Sequence, residues 1–220
     1  MSPRKLVALT ITLLVGYWAM LAFIPVPGFG AGDFAERHNL ANWIDKTFLP
    51  LRKWDGDYDP EGLLSTMTAV ASTLMGVFAG LLLKNPAVAP ARKVRLLLLW
   101  GAAGVVAGLL WHFQFPIIKK IWTSSFVLLT AGISAMLLGV FYYVIDVKNH
   151  LSWCQPFVWI GMNAITIYVL THYVKLGAVA KCFVGGDIQS ALNSVHHGLG
   201  ALVTALLALS FSFLICRFLY

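Results

Sequence analysis

The sequence predicts an all-α fold, a polytopic transmembrane helical bundle of about six spans with one long outer loop. Of the 220 residues, 59% are hydrophobic and 11% are charged, against roughly 25% charged residues in a soluble domain. Uninterrupted apolar runs recur along the chain at close to the ~20 residues that cross a ~30 Å hydrocarbon layer. Water is absent from that layer, so each run must satisfy its own backbone hydrogen bonds, and at these lengths helices do so. No composition break marks a separate soluble domain, and residues 1–220 read as a single transmembrane domain.

The first run, about 6–24, is too long for the apolar core of a signal peptide. "FIPVPGFG" follows it rather than a small-residue cleavage site, so it is a retained span. The outer loop 25–61 is rich in Pro, Gly, Trp and charge and exceeds ordinary connections. It reads as a lid with a short helix near 38–48. At its end Asp59 suits a helix N-cap, Pro60 the first helical position and Glu61 the first turn, where the dipole favours negative charge. The alternative places Asp59 and Glu61 on a cleft that takes a cationic or hydroxyl-rich substrate. Asp55 and Asp57 read as solvated loop.

The second span, about 62–83, carries Ser65, Ala69, Ser72, Gly76 and Gly80 on one side, a ridge of small residues that lets another helix come close. Gly104 and Gly108 repeat the spacing on the third span, about 94–113. Before that span, Arg92, Lys93 and Arg95 are either ordinary positive anchoring or a site for anionic phosphates. Pro116 ends the helical pattern beyond His112. Lys119 and Lys120 follow, placed to pair with the acids of 55–61 or to meet an anionic substrate group. The fourth span, about 122–145, ends at Asp146, where the dipole disfavours an acid; Lys148 or the arginine cluster is its expected partner.

The fifth span, about 153–174, holds Asn163 at mid-depth, a carboxamide that either bonds a neighbouring helix or donates to a substrate carbonyl. On a regular helix His172 would point opposite to Asn163, about 13 Å further along the axis. It would share a face with Tyr168 and Lys175. His172 is read at the outer mouth, as an interfacial histidine or a substrate contact. The sixth span is about 197–216.

Six spans put both termini on one side. Basic residues divide evenly between the two sides, but Arg4, Lys5, Lys84, Arg92, Lys93, Arg95, Lys148 and Arg217 crowd the span ends, which makes that side cytoplasmic. Nearly all the acids lie on the other side, as do His38, His112, His172, His196 and His197. The formal charge of +7 is therefore an inside-face property and excludes nucleic acid as a partner. His196 and His197 are adjacent and diverge on a helix, while Cys154, Cys182 and Cys216 show neither ligand spacing nor a disulfide framework. No metal is expected.

The segments "IPVPG" (24–28), "NWID" (42–45), "YDPEG" (58–62), "FPIIKKIWTSSFVL" (115–128), "VIDVK" (144–148) and "GMNAITIYVLTH" (161–172) occur in this order. Together they resemble the heparan-α-glucosaminide N-acetyltransferase family, from about residue 14 to the end of the chain. The resemblance implies an acetyl-CoA co-substrate on the cytosolic side, and an amino-sugar acceptor across the bilayer whose amine is acetylated with the help of a histidine. It also implies several further N-terminal spans and a catalytic histidine in an outer loop that has no counterpart in residues 1–220. On that reading the catalytic residue is unknown here, the chain is the C-terminal part of a larger enzyme in a bacterial inner membrane, and it is inactive alone. Asp59, Glu61, Asn163, His172, Lys119 and Lys120 are its substrate-side candidates, and Arg92, Lys93 and Arg95 its coenzyme-side candidates. Expected partners are the lipid bilayer and either a second copy of the chain or the missing N-terminal portion. The competing class is a non-enzymatic polytopic module, a transporter half or an assembly subunit.

Overall fold

The computed structural model describes residues 2–50 and 52–220 and is helical throughout, apart from isolated bridges in the loop at Val26–Gly30 and Lys53–Gly56. It forms two compact units, Met1–Lys148 and Asn149–Tyr220.

The first unit contains α1 (Pro3–Phe23), α2 (Leu40–Phe48), α3 (Thr66–Lys84), α4 (Pro90–Trp111) and α5 (Ser124–Tyr142), which continues as a π-helical turn over Tyr143–Val147. Pro at the first helical turn starts both α1 and α4. α4 and α5 pack most intimately, and glycine makes this possible. A Cβ on Gly108 would lie 2.8 Å from Leu129 N and Ser125 O, and one on Gly132 2.7 Å from Val105 N. The two backbones therefore touch along a seam of Gly101, Gly104, Gly108 and Gly132. The ridge on α3 behaves differently, because no atom of the described residues stands within 4 Å of a Cβ at Gly76 or Gly80. Small residues permit a close approach, but α3 meets α1 through Ala71 and Leu14 instead.

The outer loop is a folded cap on α1. Tyr17, Leu21, Val26, Leu40, Ala41, Phe115 and Ile121 form one buried cluster, which joins the last turns of α1 to α2 and to the 112–123 turn between α4 and α5. That turn is anchored by polar contacts. The Tyr17 hydroxyl donates to the Ile121 carbonyl, Ser124 Oγ to the Leu14 carbonyl at 2.7 Å and Ser125 Oγ to the Pro116 carbonyl at 3.2 Å. Trp122 adopts φ 52°, a region bulky side chains avoid, and its Nε1 donates to Ser72 Oγ at 3.2 Å.

The second unit contains α6 (Gln155–Met162), α7 (Ala164–Tyr173), α8 (Leu176–Val184), α9 (Asp187–Val195) and α10 (Leu199–Phe218), with α8 and α9 packed along α10. The expected span 153–174 is not one helix. It divides at Asn163, whose φ −112° and ψ 22° leave the helical region. α7 and α8 are bent by 67° to one another. The described residues hold five helices long and apolar enough to cross a membrane, Pro3–Phe23, Thr66–Lys84, Pro90–Trp111, Ser124–Val147 and Leu199–Phe218, or six if α7 and α8 make one bent span.

Candidate functional site

The loop is organised by two side chains that sequence reasoning passed over. Asn39 caps α2, its Oδ1 accepting from Asn42 N at 2.9 Å while its Nδ2 donates to Asn42 Oδ1 at 2.8 Å. Asp45, 2% exposed, accepts from Leu63 N at 2.9 Å and Asp59 N at 3.5 Å. Burial raises its carboxyl above the usual range, partly offset by those two amides. Gly62 lies directly against this carboxylate, leaving no room for a Cβ. The motifs "NWID" and "YDPEG" are thus two halves of one contact.

That contact corrects the helix-start reading of Asp59 and Glu61. Asp45 captures the Leu63 amide, so residues 59–65 stay in turns and α3 begins only at Thr66, after Ser65. Asp59 closes its own turn, accepting from Trp54 N at 3.0 Å and Glu61 N at 2.9 Å. Glu61 is exposed.

Lys120 does pair with the acids of the loop. Its Nζ lies 3.0 Å from Asp55 Oδ2 and 3.2 Å from Glu36 Oε1, and it donates to the Tyr58 hydroxyl at 3.1 Å. That hydroxyl in turn donates to Glu36 Oε1 at 2.7 Å. Asp55 is therefore not a solvated loop acid; its Oδ2 is shielded from water and faces the ammonium. Tyr58 has no exposed surface, and burial, then the bond to Glu36, push its hydroxyl up to about 12. The bonds from Tyr58 and Lys120 hold Glu36 below the usual carboxylate range, and Lys120 with Tyr58 does the same for Asp55. Lys120 is held above the usual lysine value, chiefly by Tyr58 and the two acids. Asp57 pairs with Lys46 at 3.6 Å, and Lys119 is exposed.

Tyr58 and Asn42 form a wall between two clefts in this cap. One, of about 310 Å³, is lined by Phe29, Arg37, Trp43, Lys46 and Asp57 among others. The second, of about 180 Å³, lies against Phe34, Glu36, Ile118 and Lys120. Beside the larger cleft, His38 stacks on Phe29 with centroids 4.1 Å apart, and its Nδ1 is 3.0 Å from Asp33 Oδ2. The amide of Ala35, then His38, hold Asp33 below the usual carboxylate range.

The basic triplet divides. Lys93 is 7% exposed and donates from Nζ to the Leu83 carbonyl at 2.6 Å, closing the C-terminus of α3. Arg92 and Arg95 remain exposed. Lys93 is therefore a structural cation, which the adjacency of the three in sequence concealed. Lys148 lies over the Tyr143 ring at 5.6 Å.

In the second unit Asn163 Nδ2 donates to the Trp159 carbonyl at 3.0 Å and to the Cys216 carbonyl of α10 at 3.3 Å, the inter-helix role open to it in the sequence. Arg217 lies over the Trp159 ring at 5.5 Å. His172 packs on Tyr168, with centroids 5.7 Å apart. Lys175 does not share their face, because α7 ends at Tyr173 and Lys175 opens α8. Among the described residues, no three of His, Cys, Asp and Glu gather as metal ligands.

The apolar helices make the chain an integral membrane protein, and its long loop is a folded, cleft-bearing cap on the spans. No protein-family model matches it. It is 31% identical over 196 residues to the heparan-α-glucosaminide N-acetyltransferase of Homo sapiens, and 30% identical over 197 residues to that of Mus musculus. Each match covers 73% of this chain and 29% of the relative. The chain thus spans less than a third of the length of these relatives, and the family resemblance carried by its motifs holds over that part.

Proposed function

We propose that this chain is a membrane-embedded portion of an N-acetyltransferase that moves acetyl from cytosolic acetyl-CoA to the amine of a glucosamine-type sugar on the outer side of a bacterial inner membrane. The observation that carries this reading is the 31% identity to a protein named for that chemistry. Acetylation of an amine needs a neutral nitrogen, a base for its proton and donors for the developing oxyanion. The capped loop supplies fixed donors and carboxylates beside two clefts. Asp59 and Lys120 hold the loop in shape, while Glu61 and Lys119 stay open to a substrate. Asn163 and His172 are further substrate-side residues on this reading. Arg92 and Arg95, exposed at the start of α4, are cations suited to the phosphates of the coenzyme. Both termini are cytoplasmic, the reactive histidine lies in a preceding N-terminal portion, and the chain is inactive without it.

The test is transfer of labelled acetyl from acetyl-CoA to glucosamine in membrane vesicles. One preparation carries this chain alone and another also carries the N-terminal portion of a longer relative. Transfer in the second preparation only is the expected result. No transfer in either, with both polypeptides inserted, overturns the proposal.

A further inference from the structure

We propose that α9 is an interfacial helix that lies at the membrane surface, with its open apolar face set into the boundary between headgroups and acyl chains of one leaflet. The partner of this face is lipid. The inference goes beyond the acetyltransferase reading and stands without it.

At about 100° per residue, Ile188, Ala191, Leu192 and Val195 fall within one arc of about 100° on α9, and Asp187, Gln189, Ser190, Asn193 and Ser194 fill the rest. In a water-soluble fold the apolar stripe would face the neighbouring helix. Here the polar side does so. Asn193 Oδ1 accepts from Gly200 N at 3.0 Å, and a Cβ on Gly200 would lie 2.6 Å from Gln189 Cγ. Gln189 and Asn193 thus seat α9 on the first turn of α10, and the stripe is turned away. Ile188 is 53% and Val195 79% exposed. Ala191 is exposed as well, and Leu192, at the edge nearer Gln189, is half-buried.

The place of that contact decides what covers the stripe. α10 has 20 residues and is apolar enough to cross a membrane. At about 1.5 Å per residue it is about 30 Å long, the thickness of the hydrocarbon layer. Its first turn therefore sits at the edge of that layer. α9 ends at Val195, three residues before α10 begins, and is fixed to Gly200, so it is held at the same level. Gly186 at φ 63° and Gly198 at φ 93° turn the chain at the two ends of α9, which frees its axis from those of α8 and α10. At this level an apolar face can enter lipid while Asp187, Ser190 and Ser194 stay among headgroups and water. A helix of 9 residues does not persist in water on propensity alone, and the seat on α10 uses only its polar side, so burial of the stripe supplies the rest of its stability.

The test places a nitroxide on single introduced cysteines of the full chain in phosphatidylcholine vesicles. Cys182→Ala is the background, since Cys154 and Cys216 are buried. Ala191→Cys and Val195→Cys report the apolar stripe, and Ser190→Cys and Ser194→Cys the polar side. Oxygen concentrates in lipid, so its collisions should exceed those of a water-soluble nickel chelate several-fold at positions 191 and 195, with the order reversed at 190 and 194. Frequent nickel collisions at all four positions place α9 in water and overturn the proposal. Shielding of positions 191 and 195 from both reagents shows a protein partner, a second copy or another segment, and overturns the lipid assignment. The unsubstituted chain supplies an independent measurement. A phosphatidylcholine with a diazirine near the top of one acyl chain should cross-link to residues 187–195 on illumination, as it does to α10. Adducts on α10 with none in 187–195 overturn the proposal as well.

Discussion

Lys120 holds its ammonium 3.1 Å from the hydroxyl of Tyr58, 62 residues away in sequence, and through that hydroxyl reaches Glu36. One lysine in the turn between α4 and α5 thereby fastens the cap at two further places in the chain. Tyr58→Phe removes the shared hydroxyl while keeping the buried ring. Its bonds with Glu36 and Lys120 are both lost, and because those two charged groups are half exposed and water can partly take its place the expected cost is about 1–2 kcal/mol. Thermal unfolding in detergent measures the loss, and hydrogen exchange should quicken at residues 55–58 and little in α4 or α5.

The acids of the cap respond to pH with opposite signs. Asp33, Glu36 and Asp55 are held below the ordinary carboxylate range, so their stabilisation is present above that range and lost as pH falls through their lowered values. Asp45 is raised by burial, so its contribution is largest when it is protonated, below the ordinary range, and is lost as pH rises through its raised value. Unfolding midpoints measured from about pH 3 to about pH 8, which brackets the usual carboxylate values, should rise with pH on the acid side, where the three lowered acids outweigh Asp45. Asp45→Asn is expected to gain on the native chain as pH rises, because its amide oxygen can still accept from Leu63 N without ionising.

Two glycines in similar sequence settings should answer substitution differently. Gly108→Ala forces a Cβ against Leu129 N and Ser125 O, and overpacking of that kind costs about 1–3 kcal/mol. Gly76→Ala meets nothing within 4 Å and should gain up to about 1 kcal/mol of helix propensity. Thermal stability of the two variants in one detergent is the comparison. Destabilisation by both would place a neighbour against α3.

The basic triplet separates by the same logic. Reversing Arg92 and Arg95 to Glu should weaken acetyl-CoA binding without loss of folded protein. Lys93→Met should instead destabilise the α3–α4 connection, because the Leu83 carbonyl loses its donor. Retained coenzyme binding in the double reversal would remove the arginines from that site.

Much of this molecule was legible one-dimensionally. Apolar length marks α1, α3, α4, α5 and α10, since crossing hydrocarbon imposes a local requirement on each run. The acids at 55–61 and the lysines at 119–120 also pointed to each other by charge alone, and Lys120 fulfils that pairing. Asp59–Pro60–Glu61 misled because helix-start grammar is local, whereas Asp45, 14 residues earlier, captures the amides that a helix would need. Asn39 gave no signal, and Asn42 and Asp45 only as letters of the motif "NWID", because an amide or carboxylate becomes structural only when a backbone N–H turns towards it.

The sequence by itself determined that this is a helical membrane protein, and its ordered motifs determined its relatives, because solvent exclusion and motif order act along the chain. Tertiary structure alone decided which glycines touch, where α3 begins, which basic residue of 92–95 is buried, and that Asn42 and Arg37 line one cleft. Those outcomes depend on pairwise contacts between residues far apart in sequence, and periodicity carries no record of the partner.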